Sequence, residues 1–126
     1  MPHTNKATAP IVLDIPELEG RYVDLDGYTV GFETFKAAAD PAELFRGLPD
    51  DRCQCPHWGT VVTGSISFRF ADRTETYVAG DAYYAPPGHI PLITAGTEVI
   101  EFSPTEDLGL TMAVLEANMA AAGVSA

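Results

Sequence analysis

Apolar and polar residues alternate over short runs through most of the chain, as expected of strands with one buried face. Residues 28–35 show it best: Tyr28, Val30 and Phe32 interleave with Thr29 and Glu33, in a run rich in β-branched and aromatic side chains. Residues 59–63 and then Ile66, Phe68 and Phe70 predict two strands joined near Gly64, with Ser65, Ser67 and Arg69 on the wetter face. Shorter strands are expected at 11–15, stopped by Pro16, and at 21–25, before an Asp26-Gly27 turn. Others fall at 75–78, behind a hairpin turn at 71–74, and at 82–85, 92–94 and 98–102. Asp40 and Pro41 read as an N-cap and first-turn proline of about one helical turn, halted at Gly47. The character changes at Thr105, Glu106 and Asp107, an acidic helix start followed by Leu108, Met112, Leu115 and Met119 at helical spacing. Alternation of Leu108, Leu110, Met112 and Val114 also fits a strand, so the first turn stays open between the two. Residues 1–10 have no periodicity and form a loose arm, 11–104 the β body, and 105–126 a helix packed on that body or on a partner subunit.

At 126 residues this is one domain with a real core. The 11 glycines and 10 prolines make turns frequent, which favours an all-β body. Seven basic residues against eighteen acidic ones give a formal charge of -11, which repels nucleic acid and anionic membrane surfaces. No apolar run approaches the roughly 20 residues of a membrane span, and the start MPHTNKATAP lacks a signal-peptide core. The expected compartment is the cytoplasm. The two cysteines stand two positions apart, where a disulfide would close a strained ring, so reduced thiols are expected.

Chemistry concentrates at Cys53-Gln54-Cys55-Pro56-His57. In an extended segment Cys53, Cys55 and His57 share one face. Thiolates and imidazoles suit Zn²⁺, with Fe or Cu as alternatives, and select against Mg²⁺ and Ca²⁺. Each residue alone has a plainer reading, the cysteines as small buried hydrophobes and His57 as a hydrogen-bonded corner residue. The stiff corner Pro86-Pro87-Gly88 ends in His89, which on its own would be a turn histidine.

Two segments resemble the two motifs of the cupin superfamily, Gly-x5-His-x-His-x3,4-Glu-x6-Gly and Gly-x5-Pro-x-Gly-x2-His-x3-Asn. The second begins at Gly80 and runs through Pro86, Pro87 and Gly88. Counting back from Gly64 puts His57 at the glutamate position of the first, Cys53 at its second histidine and Asp51 at its first. Cys55 has no counterpart, and Pro91 stands where the second motif has histidine, with His89 two residues earlier on the same strand face. Ala95 replaces the final asparagine.

The resemblance implies an all-β fold, a cupin-type antiparallel β-sandwich or conical barrel (jelly roll), here with an N-terminal arm and a C-terminal α-helix. It brings the two motifs to one point in the barrel and implies one transition metal, zinc first, on Cys53, Cys55, His57 and His89. Trp58, Phe68, Tyr83 and Tyr84 belong to the pocket wall or simply to the core. Four ligands would close the site for a structural or sensor role; three would leave a position for water or substrate. The expected function is a metal-binding protein that binds or acts on a small organic molecule. As an enzyme it would be a metal-dependent isomerase, lyase or hydrolase before a dioxygenase, since the family's three-histidine, one-glutamate set for oxygen chemistry is missing. The alternative is a non-catalytic, metal-stabilised ligand-binding module. Cupins often associate through sheet edges, which implies a homodimer. Tyr83, Tyr84, Glu33, Glu98 and Glu101 are the candidate acids and bases, none assigned a catalytic role.

Overall fold

The computed structural model describes residues 2–123. Its strands in chain order are β1 (Ile11–Asp14), β2 (Leu18–Leu25), β3 (Tyr28–Phe35), β4 (His57–Thr63), β5 (Ser65–Arg69), β6 (Thr74–Val78), β7 (Ala82–Ala85), β8 (Ile90–Leu92) and β9 (Thr97–Pro104). Helix α1 (Thr105–Ala121) follows, and two 3-10 turns, Ala42–Phe45 and Pro49–Asp51, connect β3 to β4.

Turn chemistry sets the pairing. Asp26 and Gly27 both take positive φ, 50° and 86°, the conformation that a two-residue hairpin requires. The turn locks Leu25 opposite Tyr28 and the rest of β2 against β3. All strand pairs are antiparallel, in a large sheet ordered β1-β2-β3-β9-β4-β7 and a small one ordered β6-β5-β8. Phe35, Val61, Tyr83 and Val99 of the large sheet meet Ile66 and Phe68 of the small one in a single core with Met119 of α1. The architecture is therefore a sandwich with a C-terminal helix. Among the described residues the two ladders do not close into a barrel.

Strand β8 begins two residues earlier than the pattern predicts, because Ile90 and Leu92 pair with Arg69 and Ser67 of β5. Pro91 is tolerated because β8 is an edge strand. The N-terminal arm, expected to be loose, is seated. Ala9 is buried against Val30 and Phe32 on the outer face of β3, and Arg21 Nη1 donates to its carbonyl at 3.2 Å. That outer face is itself apolar through Val23, Val30, Phe32 and Ile100, and the arm covers part of it.

Residues 108–114 are helical, not extended. Leu108, Met112, Leu115 and Met119 turn toward the space between the sheets, so this stripe packs on the protein's own body. Asn118 Nδ2 clamps the helix by donating to the carbonyls of Leu44 and Arg46 at 2.7 and 2.8 Å. Residues 124–126 of the expected helix, and Met1 of the arm, lie outside the described residues. No helix among the described residues is long and apolar enough to cross a membrane.

Candidate functional site

The main chain joins Cys53 to His89. Cys53 N–H donates to the His89 carbonyl at 2.8 Å, and the N–H groups of Gly88 and His89 donate to the Cys53 carbonyl at 2.8 and 3.2 Å. The two form an isolated antiparallel bridge outside the named strands. His57 opens β4 on its inward face. One donor atom from each of Cys53, His57 and His89 lies within 4.8 Å of the others, and all three residues are buried.

Both imidazoles are oriented from behind. His89 Nδ1–H donates to the Pro86 carbonyl at 2.7 Å, which leaves Nε2 as a lone pair, buried and without a hydrogen-bond partner. Its ring stands among Phe68, Phe70 and His57 with 0% of the residue exposed. A buried acceptor in that state carries an uncompensated desolvation cost, which a bound cation would remove. His57 Nδ1 meets Ser103 Oγ at 2.7 Å and the Glu101 carboxylate at 3.8 Å. Its Nε2 then faces Cys53 Sγ at 3.8 Å. A tetrahedral zinc ion would hold sulfur and nitrogen about 3.5 Å apart. Burial lowers His57 to about 4, and burial followed by the neighbouring His57 lowers His89 to about 4. Both are neutral at pH 7, the form that binds metal. Burial pushes the Cys53 thiol up to about 11; a cation in this position would displace its proton. The donor set fits a transition metal.

A second polar group lines the same space. Tyr83 of β7, Gly59 of β4, Glu101 of β9, Gly31 of β3 and Tyr22 of β2 form one transverse row across five strands of the large sheet. Tyr83 Oη donates to the Glu101 carboxylate, and Tyr22 Oη donates to Glu33 Oε2 at 2.6 Å. Each ring packs against glycine. A Cβ at Gly59 would stand 2.6 Å from the Tyr83 ring, and one at Gly31 would stand 2.8 Å from Tyr22. Burial raises both Glu33 and Glu101 above the ordinary carboxylate range, and the charge of Glu101 raises Glu33 further.

These groups, Tyr83 and Gly59 excepted, share a cavity of about 310 Å³. Cys53, His57, His89, Glu33, Glu101 and Tyr22 give it polar surface, and Phe35, Ile66, Phe68, Ile93, Leu115 and Met119 give it an apolar wall. Replacing Gly59 by Ala is expected to cost about 2 kcal/mol of stability, read as a lower urea midpoint. The new methyl would meet the Ile100 carbonyl oxygen at 2.8 Å as well as Tyr83. An unchanged midpoint would show that neither contact constrains the row.

No family model and no curated protein matches the chain. Solved structures do. An RmlC-like cupin from Shewanella frigidimarina superposes with a TM-score of 0.55 at 15% identity, covering 80% of this chain and 88% of that one. The chain has a cupin fold. KdgF from a Halomonas species aligns with a TM-score of 0.54 at 16% identity over 79% of this chain and 90% of its own. The polyketide cyclase RemF from Streptomyces resistomycificus aligns at 0.57 and 16%, over 82% and 79%.

Within this cupin fold the first-motif positions resolve unequally. Cys53 and His57 reach the centre, whereas Asp51 is exposed and its carboxylate accepts from the Gly47 N–H at 3.0 Å. His89 takes the inward place expected of it, and Pro91 lines the cavity wall. Cys55 is buried at 1% exposure, but its thiol donates to the Pro56 carbonyl at 3.4 Å and is not part of the three-donor group. Residues 53–56 are irregular and not a strand, so the strict alternation that would align Cys55 with its neighbours does not hold. Burial pushes the Cys55 thiol up to about 12. Of the four aromatics considered, Phe68 and Tyr83 face inward while Trp58 and Tyr84 are exposed on the outer face. Glu33 and Glu101, read from sequence only as candidate acids or bases, are cavity residues; Glu98 and Tyr84 are not. Inward-facing glycines at 20, 31 and 59 were the available signal, since glycine inside a strand marks the close approach of another side chain.

Proposed function

We propose that this cupin binds one transition metal, zinc first with iron or copper as alternatives, through Cys53, His57 and His89, and binds or acts on a small organic molecule in the adjoining cavity. The observation that carries this reading is the buried, unpartnered His89 Nε2 facing two further soft donors. Three protein ligands leave a fourth position open, as in catalytic metal sites. A metal there supplies Lewis-acid polarisation or a bound hydroxide, in keeping with isomerase, lyase or hydrolase chemistry. The Pro86 carbonyl fixes the His89 tautomer, Ser103 orients the His57 ring, and Thr111 Oγ1 of α1 stands 3.7 Å from Cys53 Sγ.

The second reading is a non-catalytic module with a closed Cys55-containing site. The contact of Cys55 with Pro56 favours the open arrangement. Cobalt substitution separates them. Azide added to the cobalt form is expected to shift its visible absorption bands, because an open position exchanges its water. A spectrum indifferent to azide would favour the closed module.

A further inference from the structure

The cavity walls carry an unusual charge balance for a site with metal-ligating residues. Among the described residues no lysine or arginine lines the cavity. Arg69 and Arg46 reach only lining carboxylates, Arg69 binding Asp40 at 3.0 Å and Arg46 binding Glu43. Five acidic residues do line it: Glu17, Asp40 and Glu43, and, on the large sheet, Glu33 and Glu101. Glu101 is 8% exposed and is held by Tyr83. Glu33 lines the cavity, which accounts for its partial accessibility, and is held by Tyr22 at 2.6 Å. Neither carboxyl has a cationic side chain of Lys or Arg as a partner. The tyrosine rings occupy space that glycines 20, 31 and 59 leave free, where a Cβ would collide with them. This pole is built into five strands of the large sheet, and the unpartnered His89 Nε2 opens on the same cavity.

We propose that the cavity selects an uncharged organic molecule with an apolar body and a hydroxyl or carbonyl group that hydrogen-bonds to Glu33, and that it excludes organic carboxylates and phosphates. The inference rests on the cavity being the ligand site of the preceding section. An organic anion seated against the large sheet would lose water without meeting a cationic side chain and would approach Glu33 and Glu101. The metal position is where a small anion such as azide meets positive charge, and chelation takes that charge away. An uncharged molecule buries its body against Phe35, Phe68 and Leu115 at no such cost. A carboxyl can donate to a carbonyl or accept from a hydroxyl according to its protonation state, so either group is served. Glu33 is the anchor rather than Glu101, whose position beside His57 ties it to the proposed metal ligands.

The test titrates full-length protein, as purified and after chelation, with two probes of one ring system, uncharged 2-naphthol and anionic 2-naphthoate, followed by calorimetry. The expected result is that 2-naphthol binds one per chain and 2-naphthoate at least tenfold more weakly. Titrated on the basic side of the raised Glu33 value, Glu33→Gln is expected to narrow that ratio severalfold, because there it removes a negative charge and keeps the shape. Glu98→Gln, which neutralises a strand glutamate outside the cavity lining, is expected to preserve the preference and controls for structural damage. Binding of 2-naphthoate as tightly as 2-naphthol, binding of neither, or a ratio unmoved in Glu33→Gln would overturn the proposal. Metal content measured on the same preparations keeps the two readings apart. Metal-bearing protein that prefers the anion overturns the ligand class alone. Protein that never holds metal yet discriminates between the probes overturns the metal reading alone.

Discussion

His89→Ala and Cys53→Ala are expected to reduce bound metal from about one ion per chain to less than a tenth under the same dialysis, measured by elemental analysis of protein prepared without added metal. Each substitution removes one of the three donors that converge among the described residues, and His89→Ala also opens a void among Phe68, Phe70 and His57. Cys55→Ala is expected to retain the metal, because its sulfur is engaged by Pro56 and stands outside the group. Stability follows occupancy. A ligand at a hundredfold excess over its dissociation constant stabilises the folded state by about 2.7 kcal/mol, so chelation should lower the melting temperature of the parent. In the two ligand variants that chelator effect should vanish. Parent protein that carries no transition metal and shows no chelator effect would sink the assignment. Loss of metal in Cys55→Ala would instead move the site to the closed, four-ligand form.

Without metal, the protein is expected to lose stability both in acid and in base. The acid limb comes from His57 and His89, which burial lowers from 6.5 to about 4. Between those values the unfolded chain takes up protons that the folded protein refuses, so stability falls as pH falls, by about 3 kcal/mol per ring. The upper limb has the opposite sign. Glu33 and Glu101 are raised above the ordinary 4.5, so the folded protein keeps protons that the unfolded chain has released. Their contribution is present in acid and lost as pH rises through the raised values. From 4.5 to 6.5 the two effects oppose one another; above that interval the carboxyls act alone. Urea midpoints of chelated protein, taken from about pH 4 to about pH 9, should therefore pass through a maximum on the acid side of neutrality. Glu33→Gln should flatten the upper limb while leaving the acid limb in place. A parent midpoint that is flat above neutral pH would show that these carboxyls are not held protonated by the fold.

Much of the architecture could be read locally. Strand β3 occupies residues 28–35 as its alternation requires, and the Asp26-Gly27 turn ahead of it dictates its register with β2. The 3-10 turn at Ala42–Phe45 follows from Asp40, whose carboxylate accepts from the Ala42 N–H at 3.1 Å. Helix and strand patterns competed over residues 108–114, and the helix prevails because its stripe closes over the sandwich while Asn118 ties it to Leu44 and Arg46. The mixed sandwich-or-barrel expectation resolves to a sandwich, since ladder closure depends on pairing between distant strands.

By itself the sequence determined the turn positions, the strand-rich body, the nearness of Cys53 to His57 and the glycine-proline corner before His89. Tertiary structure decided which of these residues meet. The bridge between Cys53 and His89 joins two irregular segments, so no periodicity foretells it. Which face of β3 and β9 turns inward was equally undetermined. Val30, Phe32, Ile100 and Phe102 make the outer face as apolar as the inner one, and the seated arm covers only part of it. Only the approach of the second sheet and α1 places Glu33 and Glu101 inside, where burial gives two ordinary-looking strand glutamates their altered acidity.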